Sequence, residues 1–385
     1  MQLNLFNFRA ANLFLPSAMR RVDFDDLKTL VKNSMPTSGD VALARVKQVG
    51  QKNYLLKAQG KTFREYASDS QVSVPLSEGQ LVLVTYGNRY AVDEYRGLIP
   101  ADLGDCHLVS SGGTAARIDT VNGAMEDLTV LEPLGLVAGE NGRVVNLRDY
   151  KLPPFSIPKA MRPPCVLVAG TGMNAGKSTA AAALSEGLSK GGYKVGYVKV
   201  TGTGNDGDPL KQKKAGAHSI YDFTDCGRST TYRLPLSDTE MDFDVLTTRL
   251  AVEGCDICVV ELADGIMMKE NIATLKSEAF YKGVDAVLFA AADQAGAVMG
   301  IQRLFDMGYL AIAVSGKMTA APLAMEEFLQ DPVAIKMQIP CFTREDLCDS
   351  GVAERLYATA KDLKKVHRLW NEKQISQDSY RLKIA

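Results

Sequence analysis

The sequence predicts an α/β protein: a doubly wound, mostly parallel sheet preceded by a small antiparallel β domain. Three observations predict it. Short alternating apolar runs fill residues 40–150, and alternation is the mark of a half-buried strand. A stretch with five prolines, Lys151–Pro164, follows; it cannot be a helix or a central strand. From Cys165 onward, unbroken apolar runs of strand length alternate with helical stretches, the pattern of a parallel sheet covered on both faces.

The elements follow in order. Val41–Val46 and Gln80–Tyr86 read as strands, and Gly87-Asn88 before Arg89–Val92 reads as a two-residue hairpin turn. Cys106–Val109 and Leu128–Leu131 extend the β-rich region, which has the strand density of a small barrel. The five later runs are Cys165–Ala169, Val195–Val200, Ile257–Val260, Ala286–Ala290 and Leu310–Val314. Helical spacing returns from Ala353 to Lys373. The expected division is therefore a β-rich domain at 1–150, a proline-rich linker at 151–164, an α/β domain at 165–345 and a helical tail at 346–385.

Composition narrows the function classes. The chain has 385 residues, 46% of them apolar, and a net charge of −1. That is ample for a packed core, and it gives no general case for nucleic acid as partner. Seven scattered cysteines do not form a disulfide framework. Asn4, Asn7 and Arg9 interrupt the first apolar residues, so no clean secretory h-region is expected, and the basic stretch without an acid before Asp23 leaves a transit peptide as the alternative. No apolar run reaches membrane length. The expectation is a cytoplasmic protein with no membrane partner. Cys255 and Cys258 have C-x-x-C spacing, but no second pair lies at zinc-ribbon distance.

The chemistry-bearing segment is Val166–Thr179, an apolar strand running into Gly170-Thr171-Gly172-Met173-Asn174-Ala175-Gly176-Lys177-Ser178-Thr179 and then a helix. Glycines let backbone amides converge on phosphate oxygens, and a helix N-terminus adds its positive end. Lys177 neutralises β/γ-phosphates and the Ser178 hydroxyl ligates Mg²⁺ in such a loop. The pattern G-x-x-x-x-G-K-[ST] asks for glycine at 171, where this chain has threonine.

This Gly-Thr variant resembles the dethiobiotin synthetase family of P-loop NTPases over residues 164–345. The resemblance continues at Gly196–Gly202, at Asn205–Leu210 and at Ile257–Gly265. It implies ATP and Mg²⁺ as cofactors. It also implies Lys177 and Lys199 as catalytic cations, Ser178, Asp208 and Glu261 as metal ligands, and a homodimer. Asp206 is the rival of Asp208. Asp264, where the family has glycine, is a candidate second carboxylate for the metal, and 217–232 is either a substrate pocket or a capped helix with a loop. The implied activity is phosphoryl transfer to a small-molecule acid or amine, with ligase-like chemistry; the alternative is a nucleotide-controlled switch acting on a protein partner. Gly172 stands where the family has aspartate, Leu262-Ala263-Asp264 interrupts its glycine-rich turn, and Ser315–Pro322 lacks its asparagine. These departures point the acceptor away from dethiobiotin synthesis itself.

Overall fold

The computed structural model describes residues 13–65, 70–155, 157 and 161–371, the side chains of 367–371 excepted. The readings at Asn4, Asn7 and Arg9 lie outside these residues, as does part of the proline-rich stretch. No described helix is long and apolar enough to cross a membrane.

The chain divides into two compact units, and the division is not sequential. One holds the chain up to Pro153 together with Thr201–Leu210 and Asp222–Leu234. The other holds Pro154–Val200, Lys211–Tyr221 and the chain from Pro235 onward.

In the first unit the strands are β1 (Thr29–Val31), β2 (Val41–Gln48), β3 (Tyr54–Lys57), β4 (Val72–Pro75), β5 (Leu81–Tyr86), β6 (Arg89–Tyr90), β7 (Tyr95–Leu98), β8 (Cys106–Ser110), β9 (Thr114–Val121) and β10 (Val130–Ala138). Pairing runs β10 to β2, β2 to β5, β5 to β9, β9 to β8 and β8 back to β10. That circuit closes a five-stranded barrel and removes free edges from those strands. Ala42, Ala44, Val46, Val82, Val84, Tyr86, Leu108 and Leu131 fill one core cluster. Val41, Leu43, Leu83 and Val137 pack in another, with Met19 and Leu147. Strand β2 is thus buried on both faces at its start, and its exposed positions begin at Arg45.

Two expectations change here. The β5–β9 pair is parallel, Thr85 opposite Thr114, so the barrel is not wholly antiparallel. Gly87-Asn88 is also not a hairpin turn: β5 pairs with β2 and β9, whereas β6 pairs with β7. A Cβ on Gly87 would lie 2.4 Å from the Ser229 hydroxyl, so this glycine answers a close approach rather than a turn.

Segments 201–210 and 222–234 are held in this unit by polar contacts. The Ser229 hydroxyl donates to the Tyr86 carbonyl and the Ser110 hydroxyl to the Gly204 carbonyl. The buried guanidinium of Arg20 donates to Asp222 at 2.9 Å and Asp225 at 2.7 Å, and lies 3.6 Å from Asp206. Burial pushes the Asp225 carboxyl upward, against the pull of Arg20.

In the second unit β11 (Cys165–Gly170), β12 (Val195–Lys199), β13 (Ser219–Asp222), β14 (Ile257–Glu261), β15 (Ala286–Ala290) and β16 (Ala311–Ser315) form one sheet in the order β13-β12-β14-β11-β15-β16. Strand β11 pairs in parallel with β14 on one side and β15 on the other. The winding therefore reverses at β11, and in open α/β sheets ligands bind at the carboxyl ends beside such a reversal. Helix α1 (Lys177–Lys190) follows β11, α2 (Gly207–Lys214) follows β12 and α3 (Leu236–Val252) precedes β14. Helices α4 (Lys269–Leu275) and α5 (Glu278–Gly283) fill the connection to β15, and α6 (Gln294–Asp306) the one to β16. After β16 come α7 (Pro322–Gln330), α8 (Pro332–Met337), α9 (Arg344–Leu347) and the long α10 (Ser350–Asn371). The tail helix α10 packs on α1, where Gly187 lets it close in: a Cβ there would sit 2.8 Å from that of Ala353.

Of the two readings of 217–232, the capped helix followed by a loop is met in part: the helix is 3₁₀ rather than α, and a strand precedes it. The segment holds the buried edge strand β13 and a 3₁₀ turn, Phe223–Cys226, with a capping box from Asp222 and Asp225.

Removing the guanidinium of Arg20 leaves Asp222 and Asp225 buried without their main cation. Arg20→Ala should therefore cost about 3–5 kcal/mol, read as a lower urea midpoint of the first unfolding transition of the full chain.

Candidate functional site

Every residue of β11 is buried, which explains its unbroken apolar sequence. Its last residue, Gly170, must be glycine: a Cβ would meet the Ala290 carbonyl oxygen at 2.4 Å. The chain then turns through Thr171–Gly176 into α1. Asn174 and Gly176 adopt left-handed conformations, with φ of 61° and 99°. Asparagine and glycine are the residues that tolerate them. No side chain caps the N-terminus of α1, and its first turn carries no acid. The amides there and the positive end of the helix dipole are thus left for an anion.

The loop is clamped by backbone. Thr171 N–H donates to the Ala290 carbonyl at 3.0 Å, and Lys317 N–H donates to the Ala175 carbonyl at 2.9 Å. The Thr171 hydroxyl accepts from Ala292 N–H at 3.1 Å, so threonine at this position ties the loop to the end of β15. The Lys177 ammonium donates to the Gly172 carbonyl at 2.7 Å, folding back over the loop.

The centre of the site is Glu261, at the carboxyl end of β14 and 1% exposed. Its neighbour in register on β12 is Lys199. Lys199 Nζ lies 3.3 Å from Glu261 Oε1, and the Ser178 hydroxyl donates to the same oxygen at 2.8 Å. Tyr197 Oη donates to Oε2, also at 2.8 Å. The residues that meet are therefore Ser178, Lys199, Glu261 and Tyr197, with Lys177 one residue before Ser178.

The other sequence candidates belong to the following elements. Asp208 lies in the first turn of α2, in the segment that groups with the first unit. Asp206 is buried beside Arg20, a structural ion-pair position. Asp264 is half-buried with a left-handed backbone, φ 60°. Cys255 and Cys258 are free and buried; Cys258 stands opposite Cys165 in the sheet. Among the described residues no group of three or more His, Cys, Asp or Glu side chains could hold a metal ion. A magnesium site of this kind asks for less. Mg²⁺ is usually held by one or two carboxylates plus substrate phosphates and water, and the paired oxygens of Ser178 and Glu261 are such hard donors.

Three contributors were not read from the sequence. Tyr197 looked like one more apolar residue of a buried strand. Gly265 admits the Thr171 carbonyl, which would lie 2.4 Å from a Cβ. The Asn271 amide donates to the Ala263 and Gly265 carbonyls and fixes the turn after Glu261. The signal for Gly265 was its spacing after Glu261; for Asn271 the sequence offers none.

No family model and no curated protein sequence matches the chain. Among solved structures it is similar to a DUF1611 family protein from Anabaena variabilis, with 11% identity over 56% of this chain and 63% of that one and a TM-score of 0.38. It is also similar to the signal recognition particle 54 kDa protein of Aeropyrum pernix in complex with GDP, at 21% identity, 54% and 51% coverage and TM-score 0.37. A third is HypB of Helicobacter pylori in complex with nickel, at 16% identity, 54% and 89% coverage and TM-score 0.29. The chain thus spans less than two thirds of the length of the first two. The P-loop NTPase fold of the second unit stands on its own strand order, on the loop between β11 and α1, and on the carboxylate ending β14.

Gly265→Ala forces a methyl group into the Thr171 carbonyl. The expected cost is about 1–3 kcal/mol, as for other overpacked sites, measured as a lower urea midpoint.

Proposed function

We propose that the chain is a Mg²⁺-dependent nucleoside triphosphatase of the phosphoryl-transfer type, using ATP and acting on a small-molecule acid or amine in the cytoplasm. The observation that carries the reading is the meeting of Ser178, Lys199 and Glu261 at the end of the phosphate-loop helix. The loop amides and Lys177 would hold the β- and γ-phosphates, while Ser178 and Glu261 would hold the metal. Bound Mg²⁺ supplies neutralisation of the charge on the terminal phosphates. Lys177 and Lys199 add positive charge where the transferring group gathers negative charge, and positioning plus electrostatics is most of what such catalysis requires. The seven free thiols support a reducing compartment. The likeness to dethiobiotin synthetases rests on the loop and strand-end residues alone, and the acceptor is left as a chemical class.

Lys177→Ala should abolish turnover while the fold persists, since a lysine at a helix N-terminus is electrostatically costly unless it meets an anion. Wild-type turnover by this variant would place the chemistry elsewhere. Glu261→Gln should lower turnover by about 10²-fold or more and leave nucleotide affinity nearly unchanged. ADP and GDP release from ATP and GTP, measured across a panel of small acids and amines, reads the base and the acceptor together. Stimulation by a protein fraction and by no metabolite would favour a nucleotide-controlled switch instead.

A further inference from the structure

We propose that Tyr197 is a positioning residue that decides which oxygen of Glu261 faces the metal and phosphates. The inference rests on the proposed nucleotide site and adds a residue to it.

The geometry is set by the sheet. Tyr197 and Lys199 are two residues apart on β12, so they share a face, and Lys199 is in register with Glu261. Two residues of strand span roughly 6.6 Å, close to the reach of a tyrosine side chain. A tyrosine two positions upstream can therefore place its hydroxyl at the same strand end as the lysine. It does so: Oη lies 2.8 Å from Glu261 Oε2, and the ring is fully buried.

The two carboxylate oxygens are thereby divided. Oε2 receives Tyr197, whereas Oε1 receives the Ser178 hydroxyl and lies beside Lys199. Ser178 is the residue whose hydroxyl meets Mg²⁺ in a phosphate loop, so Oε1 is the oxygen on the metal side. Buried tyrosines need a partner for the hydroxyl, and a backbone carbonyl suffices elsewhere in this chain: Tyr95 ends on Val109 and Tyr309 on Leu275. Tyr197 ends on the carboxylate of Glu261, as the buried Tyr221 ends on that of Glu253. A hydrogen bond to a charged acceptor is the stronger kind, and groups that orient a metal-binding carboxylate set metal affinity as the ligands themselves do.

The test uses the full chain, a non-hydrolysable ATP analogue and Mn²⁺ as the spectroscopic probe, with Mg²⁺ as competitor. Tyr197→Phe should raise the Mn²⁺ concentration for half-saturation by about 10-fold, while affinity for the analogue in EDTA stays at the wild-type value. In a Glu261→Gln background the same change should add no further loss. Unaltered Mn²⁺ affinity in Tyr197→Phe overturns the inference, as do additive losses in the double variant. So does a Tyr197→Phe protein that unfolds or loses metal-free analogue binding, because the tyrosine is then structural. A wild-type protein that binds no analogue overturns the proposed function, and this inference with it.

Discussion

A carboxylate buried at the end of a central strand is the constraint around which the second unit is organised. Moving such a charge out of water costs several kcal/mol unless it is paired and hydrogen-bonded. Glu261 meets that demand with donors from two elements, Tyr197 and Lys199 on β12 and Ser178 on α1. Each donor fixes something. The pair on β12 requires the parallel β12–β14 register. Ser178 requires that the first turn of α1 begin where it does. The strand pairing, the helix start and the polar cluster are therefore one arrangement, and a shift in any of them exposes the others.

The loop between β11 and α1 is shaped by close backbone approach rather than by side chains. Gly170 faces the Ala290 carbonyl, Gly265 the Thr171 carbonyl and Gly316 the Ala175 carbonyl, each at 2.4 Å from where a Cβ would stand. The loop is thus enclosed by the carboxyl ends of β14, β15 and β16. A loop held this way loses little freedom when an anion arrives, which is how preorganised sites save binding free energy.

What could be read from the sequence follows the range of the interactions. The strand, glycine turn and helix at 165–190 are contiguous, and their chemistry is written in neighbouring residues. The five apolar runs were visible because strands covered on both faces lack alternation. Lys199 and Glu261 were visible as charges ending such runs, although the sequence alone could not say that they touch. The Gly87 hairpin was misread because a glycine admitting a distant hydroxyl and a glycine making a turn look alike in one dimension. Edge strand β13 was missed for another reason. It is only four residues long, and its polar flanks resemble those of a loop.

The least legible feature is the cluster around Arg20. Its partners lie 202 and 205 positions away, and in sequence Asp206, Asp222 and Asp225 look like solvated loop acids. Burial reverses that reading. Asp206, Asp222 and Asp225 sit beside an arginine in a dry interior, whereas Glu261 sits beside a hydroxyl and a lysine at the loop that opens α1. Residue type was the same throughout: an acid at the end of a strand or in the loop beyond it. The partner decides the role. For Glu261 that partner came from a motif one strand away, and for Asp206 it came from the first segment of the chain, beyond the reach of any local pattern.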